Sequence, residues 1–223
     1  MLNLIFNNVK VPDWIKVVDI KEDLLASSDK IKKITVDFKF KRNKLIDTEK
    51  RVELIDWVKG NNFEKSKLIL PGRLDFYYMA KAELSDITGS IRRGEGSIEF
   101  ICYGSYINSY ENKLILNNNN EKAIVYYGDV EVYPKLKIKV KSACSKIKIV
   151  HDLGFIELNN SFNAGNIIEF NQYTFNLKLN NNTNMQILHL SSTRFYLDNK
   201  KINKIKLEQG NCEVELSWNN KYL

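Results

Sequence analysis

IKKITVDFKFKRNKLIDTEKRVELIDWVKG, residues 31–60, decides how the chain folds. In its first third, Ile34, Val36, Phe38 and Phe40 fall on every second position, with Thr35, Asp37, Lys39 and Lys41 between them. That is the period of a strand with one buried face. Asp47 and Thr48 then offer a helix cap, Glu49 places an acid in the first turn, and Gly60 stands just past the end. These signals predict a helix over 48–59. On a helical wheel Val52, Leu54, Ile55, Trp57 and Val58 fill one wide arc, expected to be buried, with Glu49, Glu53 and Asp56 outward.

Downstream, KLIL (67–70) runs into Pro71-Gly72, a turn dipeptide, and alternation resumes in RLDFYYMAKAEL (73–84). There Phe76, Tyr78, Ala80, Ala82 and Leu84 share the inward parity. Gly89, Gly94 and Gly96 predict a turn before SIEFICYG (97–104), whose inward set is Ile98, Phe100 and Cys102. The segment to Tyr106 thus reads strand, helix, strand, strand. The opposite face carries Tyr77, Met79, Ile101 and Tyr103 among Asp75, Lys81, Glu83 and Glu99. A free monomer seldom leaves that much apolar surface bare. Two readings stand: a second layer of the same chain, or a subunit interface.

Upstream lie a short strand candidate from Leu2 to Phe6, then VPDWIKVVDI (11–20), then SSDK (27–30) as a return turn. From Asn108 onward helical periodicity disappears, and short alternating segments are separated by Asn and Gly turns, as in an all-β sandwich. The strand candidates are 113–116, 123–127, 135–141, 146–150, 155–158, 167–170, 174–179, 186–190 and 212–218. The expected class is mainly β with one α-helix: an α+β domain over 1–106, then a β-sandwich over 107–223.

At 223 residues the chain can bury a full core. No apolar run approaches the ~20 residues of a membrane helix, so no membrane partner is expected. The start, MLNLIFNNVKVPDW, has neither basic region nor cleavage site, which predicts a protein made and kept in a cytoplasm or leaving by a route other than secretion. Cys102, Cys144 and Cys212 stand singly, without metal or disulfide spacing, and Cys102 and Cys144 read as small apolar fillers. The charge of +7 invites a nucleic-acid reading. However, only six of the 34 basic residues are Arg, and the Asn runs at 117–120 and 180–182 suggest an A/T-rich coding sequence. No specific nucleic-acid partner is expected. In YPKLKIKVK, Lys135, Lys137, Lys139 and Lys141 alternate with Leu136, Ile138 and Val140. This is a solvated lysine face that also blocks edge-to-edge aggregation; a basic stripe meeting an acidic polymer or partner is the alternative.

Catalysis needs convergent groups, and few are present. His151 beside Asp152 and His189 in QILHLSS belong to no HExxH, HxH or GxSxG arrangement. The aligned acids Glu49, Glu53 and Asp56 read as a solvated helix face. Arg92-Arg93-Gly94-Glu95-Gly96 lacks the Lys-Ser/Thr ending of a phosphate loop. No catalytic residue, cofactor site or metal site is predicted, and the chain is expected not to be an enzyme.

The layout resembles the distal tail protein family of long-tailed bacteriophages. DFKFKRNKLIDTEKRVELIDWVK (37–59), LILPGRLDFYYMAKAEL (68–84) and GSIEFICYGSY (96–106) look like the family's strand, helix, extended hairpin and exit from its first domain. GDVEVYPKLKIKV (128–140) and GFIELNNSFNAGNIIEFN (154–171) are similar to its second domain. The chain departs from the pattern at SSDKIKK (27–33) and at 197–203. The resemblance implies a structural protein of the virion tail, assembled in the host cytoplasm. It implies a belt domain forming a homohexameric ring and a galectin-like β-sandwich, with the tail tube, hub and tape-measure proteins as partners. A ring needs heterologous contacts that close after a fixed rotation; Tyr77, Met79, Ile101 and Tyr103 are the candidate interface. The alternative is a carbohydrate-binding β-sandwich module of a tail or tail-like bacteriocin, kept open by Tyr110, Tyr126, Tyr127, Tyr133 and Tyr173, with Trp218 the one Trp of that domain.

Overall fold

The computed structural model describes residues 3–24, 31–41, 47–60, 64–90, 93–104, 107–117 and 120–223, with the backbone alone at 84–90 and 93. Leu2, the 27–30 turn, Arg92, Tyr106, part of the 117–120 Asn run and the inward side chain of Leu84 lie outside that description. Two compact units result, Met1–Asn108 and Ser109–Leu223. The chain is mainly β, with one α-helix among the described residues.

The first unit is one antiparallel sheet and one helix. Its strands are β1 (Ile5–Phe6), β2 (Val9–Lys10), β3 (Ile15–Leu24), β4 (Ile31–Phe40), β5 (Ser66–Ile69), β6 (Phe76–Ser90) and β7 (Arg93–Tyr103), in the order β3-β4-β7-β6-β5-β1-β2. Register puts Ile34 against Phe100 and Val36 against Ile98, and Phe100 against Ala82 and Cys102 against Ala80. One face is therefore apolar across three strands, and these side chains are buried as the alternation predicts. The two alanines leave room for α1 (Thr48–Lys59), whose Leu54, Trp57 and Val58 rest on that face. Trp57, Phe6 and Phe100 meet edge-to-face, with centroids 5.2–6.3 Å apart.

The Asp47 side chain accepts the amide of Lys50, and the Gly60 amide (φ +53°) donates to the Asp56 carbonyl, as the cap signals predict. The buried arc is narrower than predicted: Val52 and Ile55 are 49% and 39% exposed. They stand roughly 160° and 100° round the wheel from Leu54, too far to reach a single flat sheet. The predicted turn is tighter than the glycines suggested, because Gly89, Gly94 and Gly96 themselves lie in the strands that flank it. Gly89 pairs Gly94 and Ile87 pairs Gly96, so β6 and β7 run on as one long hairpin. At Gly94 a Cβ would sit 2.1 Å from the Phe40 ring, so this glycine is required by the close approach of that ring.

The second unit is a sandwich. One sheet holds β8 (Ile107–Leu116), β10 (Lys135–Val140), β13 (Ile167–Asn171), β14 (Asn176–Leu179), β15 (Asn182–Thr183) and β17 (Cys212–Tyr222); the other holds β9 (Glu121–Ile124), β11 (Cys144–His151), β12 (Gly154–Phe162) and β16 (Asn203–Gln209). Ile138 lies opposite both Ile168 and Val214, and Ile149 opposite both Ile156 and Leu207. The inner faces form one buried cluster completed by Phe162, Phe195 and Leu197. Two expectations fail. QILHL (186–190) gives instead a short 3-10 turn, Met185–Ile187, with Ile187 in the core and one backbone bridge, Leu158–Leu188, to the sheet. Asn203–Gln209, not anticipated as a strand, is the middle of the second sheet.

Candidate assembly surface

The sheet face of the first unit that turns away from α1 holds the four predicted interface residues, in unequal states. Tyr77 is already buried, at 8% exposure, with the Lys67 ammonium 4.6 Å from its ring centroid. It is covered within the chain, contrary to the expectation of a free side chain. Met79, paired in register with Lys67, and Ile101, between Lys33 and Lys81, are half-buried. Tyr103 is 40% exposed, with Lys65 Nζ 3.8 Å from its ring centroid. Lys33 also closes an ion pair of 2.6 Å on Glu99. Lysine stems thus shelter the apolar atoms while their ammoniums stay at water, an arrangement a partner can displace.

Two further features escaped the alternation argument. The outward side of α1 presents Val52 and Ile55. Because α1 lies on the core face, this patch points away from the free sheet face. The other feature is β3 (ten residues), which among the described residues pairs only β4, leaving its other edge unpaired there. Val18 and Leu24 are exposed along it. A register shift between Val17 and Asp19 and the Lys21–Asp37 pair at 2.8 Å break and charge this edge, the usual protection against uncontrolled pairing.

Glu22 anchors the far end of β3. It accepts the Tyr78 hydroxyl at 2.8 Å and pairs with Arg73 at 2.9 Å and Lys32 at 3.4 Å. Burial, then the Glu22 hydrogen bond, pushes the Tyr78 phenol upward, so it stays a donor. The network spans 56 residues of sequence between Glu22 and Tyr78. No local pattern encodes it.

The titratable groups of interest elsewhere are held by packing. His151 is buried and stacked on Phe195 at 4.6 Å; its Nδ1 accepts the Leu153 amide at 3.1 Å, and its Nε2 has no partner. Burial lowers its pKa to about 4. Burial pushes the Cys102 and Cys212 thiols up to about 12, the opposite of what a nucleophile requires. His189 Nδ1 contacts Ser191 Oγ at 2.6 Å and also accepts the Ser191 amide, while Glu157 is tied to Lys146 at 2.9 Å, which holds its carboxyl below the usual range. Of the helix acids, Glu53 accepts the Trp14 indole at 2.7 Å. Among the described residues no group of three or more His, Cys, Asp or Glu could hold a metal, and no helix is long and apolar enough to cross a membrane. Of the tyrosines weighed for sugar stacking, Tyr126 is buried and gives its hydroxyl to the Val130 carbonyl, and Tyr133 packs on Tyr196. Tyr110, Tyr127 and Tyr173 are exposed.

Residues 127–222 match the family model described as "Siphovirus-type tail component, C-terminal domain". No curated protein matches the sequence. Among solved structures the chain is similar to the crystal structure of the SPP1 Dit (gp 19.1) protein, described as a paradigm of the hub adsorption apparatus in phages infecting Gram-positive bacteria. The TM-score is 0.76 over 100% of both chains at 12% identity, so the fold is shared along the whole length. These likenesses favour a structural tail component over a carbohydrate-binding module. Residues 127–222 thus match a siphovirus-type tail-component domain, and the whole chain shares its fold with the SPP1 Dit protein.

Proposed function

We propose that the chain forms a closed homohexameric ring joining the tail tube to the tip hub, with the first unit, about residues 1–106, as the ring-forming belt. It would have no catalytic role and would be assembled in the host cytoplasm. The observation that carries this reading is the pair of apolar patches on opposite sides of the first unit. Met79, Ile101 and Tyr103 lie on the free sheet face, and Val52 and Ile55 on the outward side of α1. A head-to-tail contact needs two different surfaces on each copy, and a ring needs them to face away from each other.

Two charge insertions test the contact. Tyr103→Asp and Ile55→Asp each place a carboxylate in a desolvated junction and should each give folded monomers by native mass spectrometry. An equimolar mixture leaves one intact patch of each kind and should give a heterodimer that cannot grow. A mixture that stays monomeric, or single variants that still close rings, would contradict head-to-tail assembly through these patches.

A further inference from the structure

We infer that Arg194, with Tyr173 and Phe175, is a docking point for an acidic segment of another protein. Positive charge in the second unit is otherwise carried by lysine; Arg194 is the one arginine of residues 109–223. Many of those lysines are neutralised across strands: Lys113–Glu215, Lys137–Glu169, Lys141–Glu213, Lys146–Glu157 and Lys148–Glu208 all lie within 3.3 Å. Among the described residues Arg194 has no carboxylate at ion-pair distance, and its one hydrogen bond is from Nη1 to the Gln172 carbonyl at 3.4 Å. Its guanidinium carbon lies 5.4 Å from the Tyr133 ring centroid and 5.6 Å from that of Phe175. Those rings set the orientation of a planar donor fork and leave donors over for a ligand. A lysine could not reproduce this, because it lacks the plane that stacks on rings and meets a carboxylate with two parallel bonds.

The hairpin that frames Arg194 is rigid and strained. Gln172 is fully buried, donating to the Pro134 carbonyl at 2.9 Å and accepting the Phe195 amide at 3.1 Å. Asn171 Oδ1 accepts the amides of Tyr173 and Thr174. Phe175 then adopts φ +53°, a left-handed conformation that a bulky residue rarely takes. The result is to hold Tyr173, 70% exposed, and Phe175, 46% exposed, at the hairpin tip. One unpaired guanidinium among exposed aromatic rings has the composition of a protein-interface hot spot. A polyanion would call instead for a track of free cations. The inference uses the second unit alone and stands whether or not the first unit closes a ring.

The test is selection of a random dodecapeptide library on the full-length protein, in parallel with Arg194→Ala and Arg194→Lys, each first shown to unfold cooperatively at the wild-type temperature. The wild type should enrich peptides with Asp or Glu beside aromatic or aliphatic residues. The leading peptide should bind Arg194→Ala at least about tenfold more weakly, the loss of one charge-assisted contact, and should also lose affinity for Arg194→Lys. Replacing its acid by the amide should have the same effect. No consensus, a consensus without an acid, equal binding to Arg194→Ala, or displacement by poly(glycerol phosphate) at equal charge concentration would each overturn the assignment. Self-association of the protein through this patch, seen as a dimer lost in Arg194→Ala, would overturn it in favour of a second copy as the occupant.

Discussion

The two units solve the same problem differently. The second covers both sheets with each other, and its lysine-rich outer face runs as a cross-strand charge ladder, Lys113 to Glu215, Lys137 and Glu169. Such a face is complete in water. The first unit has one helix for one sheet, so one sheet face keeps Met79, Ile101 and Tyr103, β3 keeps an edge unpaired among the described residues, and the helix keeps Val52 and Ile55 outward. Net charge and apolar content alone would not separate the units. The second unit also exposes single apolar side chains such as Ile115, Val125 and Leu190. The proposal that assembly runs through the first rests on its two patches on opposite sides, the sheet face of Met79, Ile101 and Tyr103 and the helix face of Val52 and Ile55.

The largest expected effect sharpens that contrast on the helix. Leu54→Ala removes a side chain that is 1% exposed and should cost about 2–5 kcal/mol by chemical denaturation. Ile55→Ala, at 39% exposure, should cost under about 1 kcal/mol in the monomer. Equal losses would mean that the outward patch is part of the core.

Next is a pH dependence confined to the second unit. The folded state keeps His151 neutral down to about pH 4, whereas the unfolded chain takes up the proton near 6.5. The stability contributed is present above pH 6.5 and lost as pH falls from 6.5 to 4, up to about 3 kcal/mol in all. His151→Phe keeps a ring against Phe195 and should flatten that part of the profile. An unchanged profile would place the acid sensitivity elsewhere.

Gly94→Ala should cost the first unit about 1–3 kcal/mol, because Phe40 is fixed against Trp14 and Phe38 and cannot swing away from the new methyl. The smallest effect tests the ladder. Lys137 and Glu169 are both about half exposed, so Lys137→Gln should change stability by no more than about 1 kcal/mol. A larger loss would make that face more than a solvated one.

Much of this was legible in the residues, for reasons that differ by element. The caps Asp47 and Gly60 and the alternation of Ile34, Val36 and Phe38 are local signals, and the structure obeys them. β16 carries the same alternation as 135–141, Ile205 and Leu207 between Lys204, Lys206 and Glu208, and it pairs β11 at Ile149–Leu207. QILHL alternates too, but side-chain bonds from His189 to Ser191 and from Ser192 to Glu157 compete with a ladder, and only the bridge at Leu188 survives. The covering of Tyr77, the Glu22–Tyr78–Arg73 anchor and the rings around Arg194 join residues distant in sequence. Periodicity carries no information about them.

The central claim is that the first unit closes a ring at the end of the tail tube. Electron cryomicroscopy of the tail that carries this chain tests it most directly. The account predicts one closed ring of six copies between tube and tip, joined head-to-tail through first units, with the Tyr103 face of each copy against the Ile55 face of the next. A tail with this chain absent from that junction, or present there as copies that touch only through their second units, would contradict it.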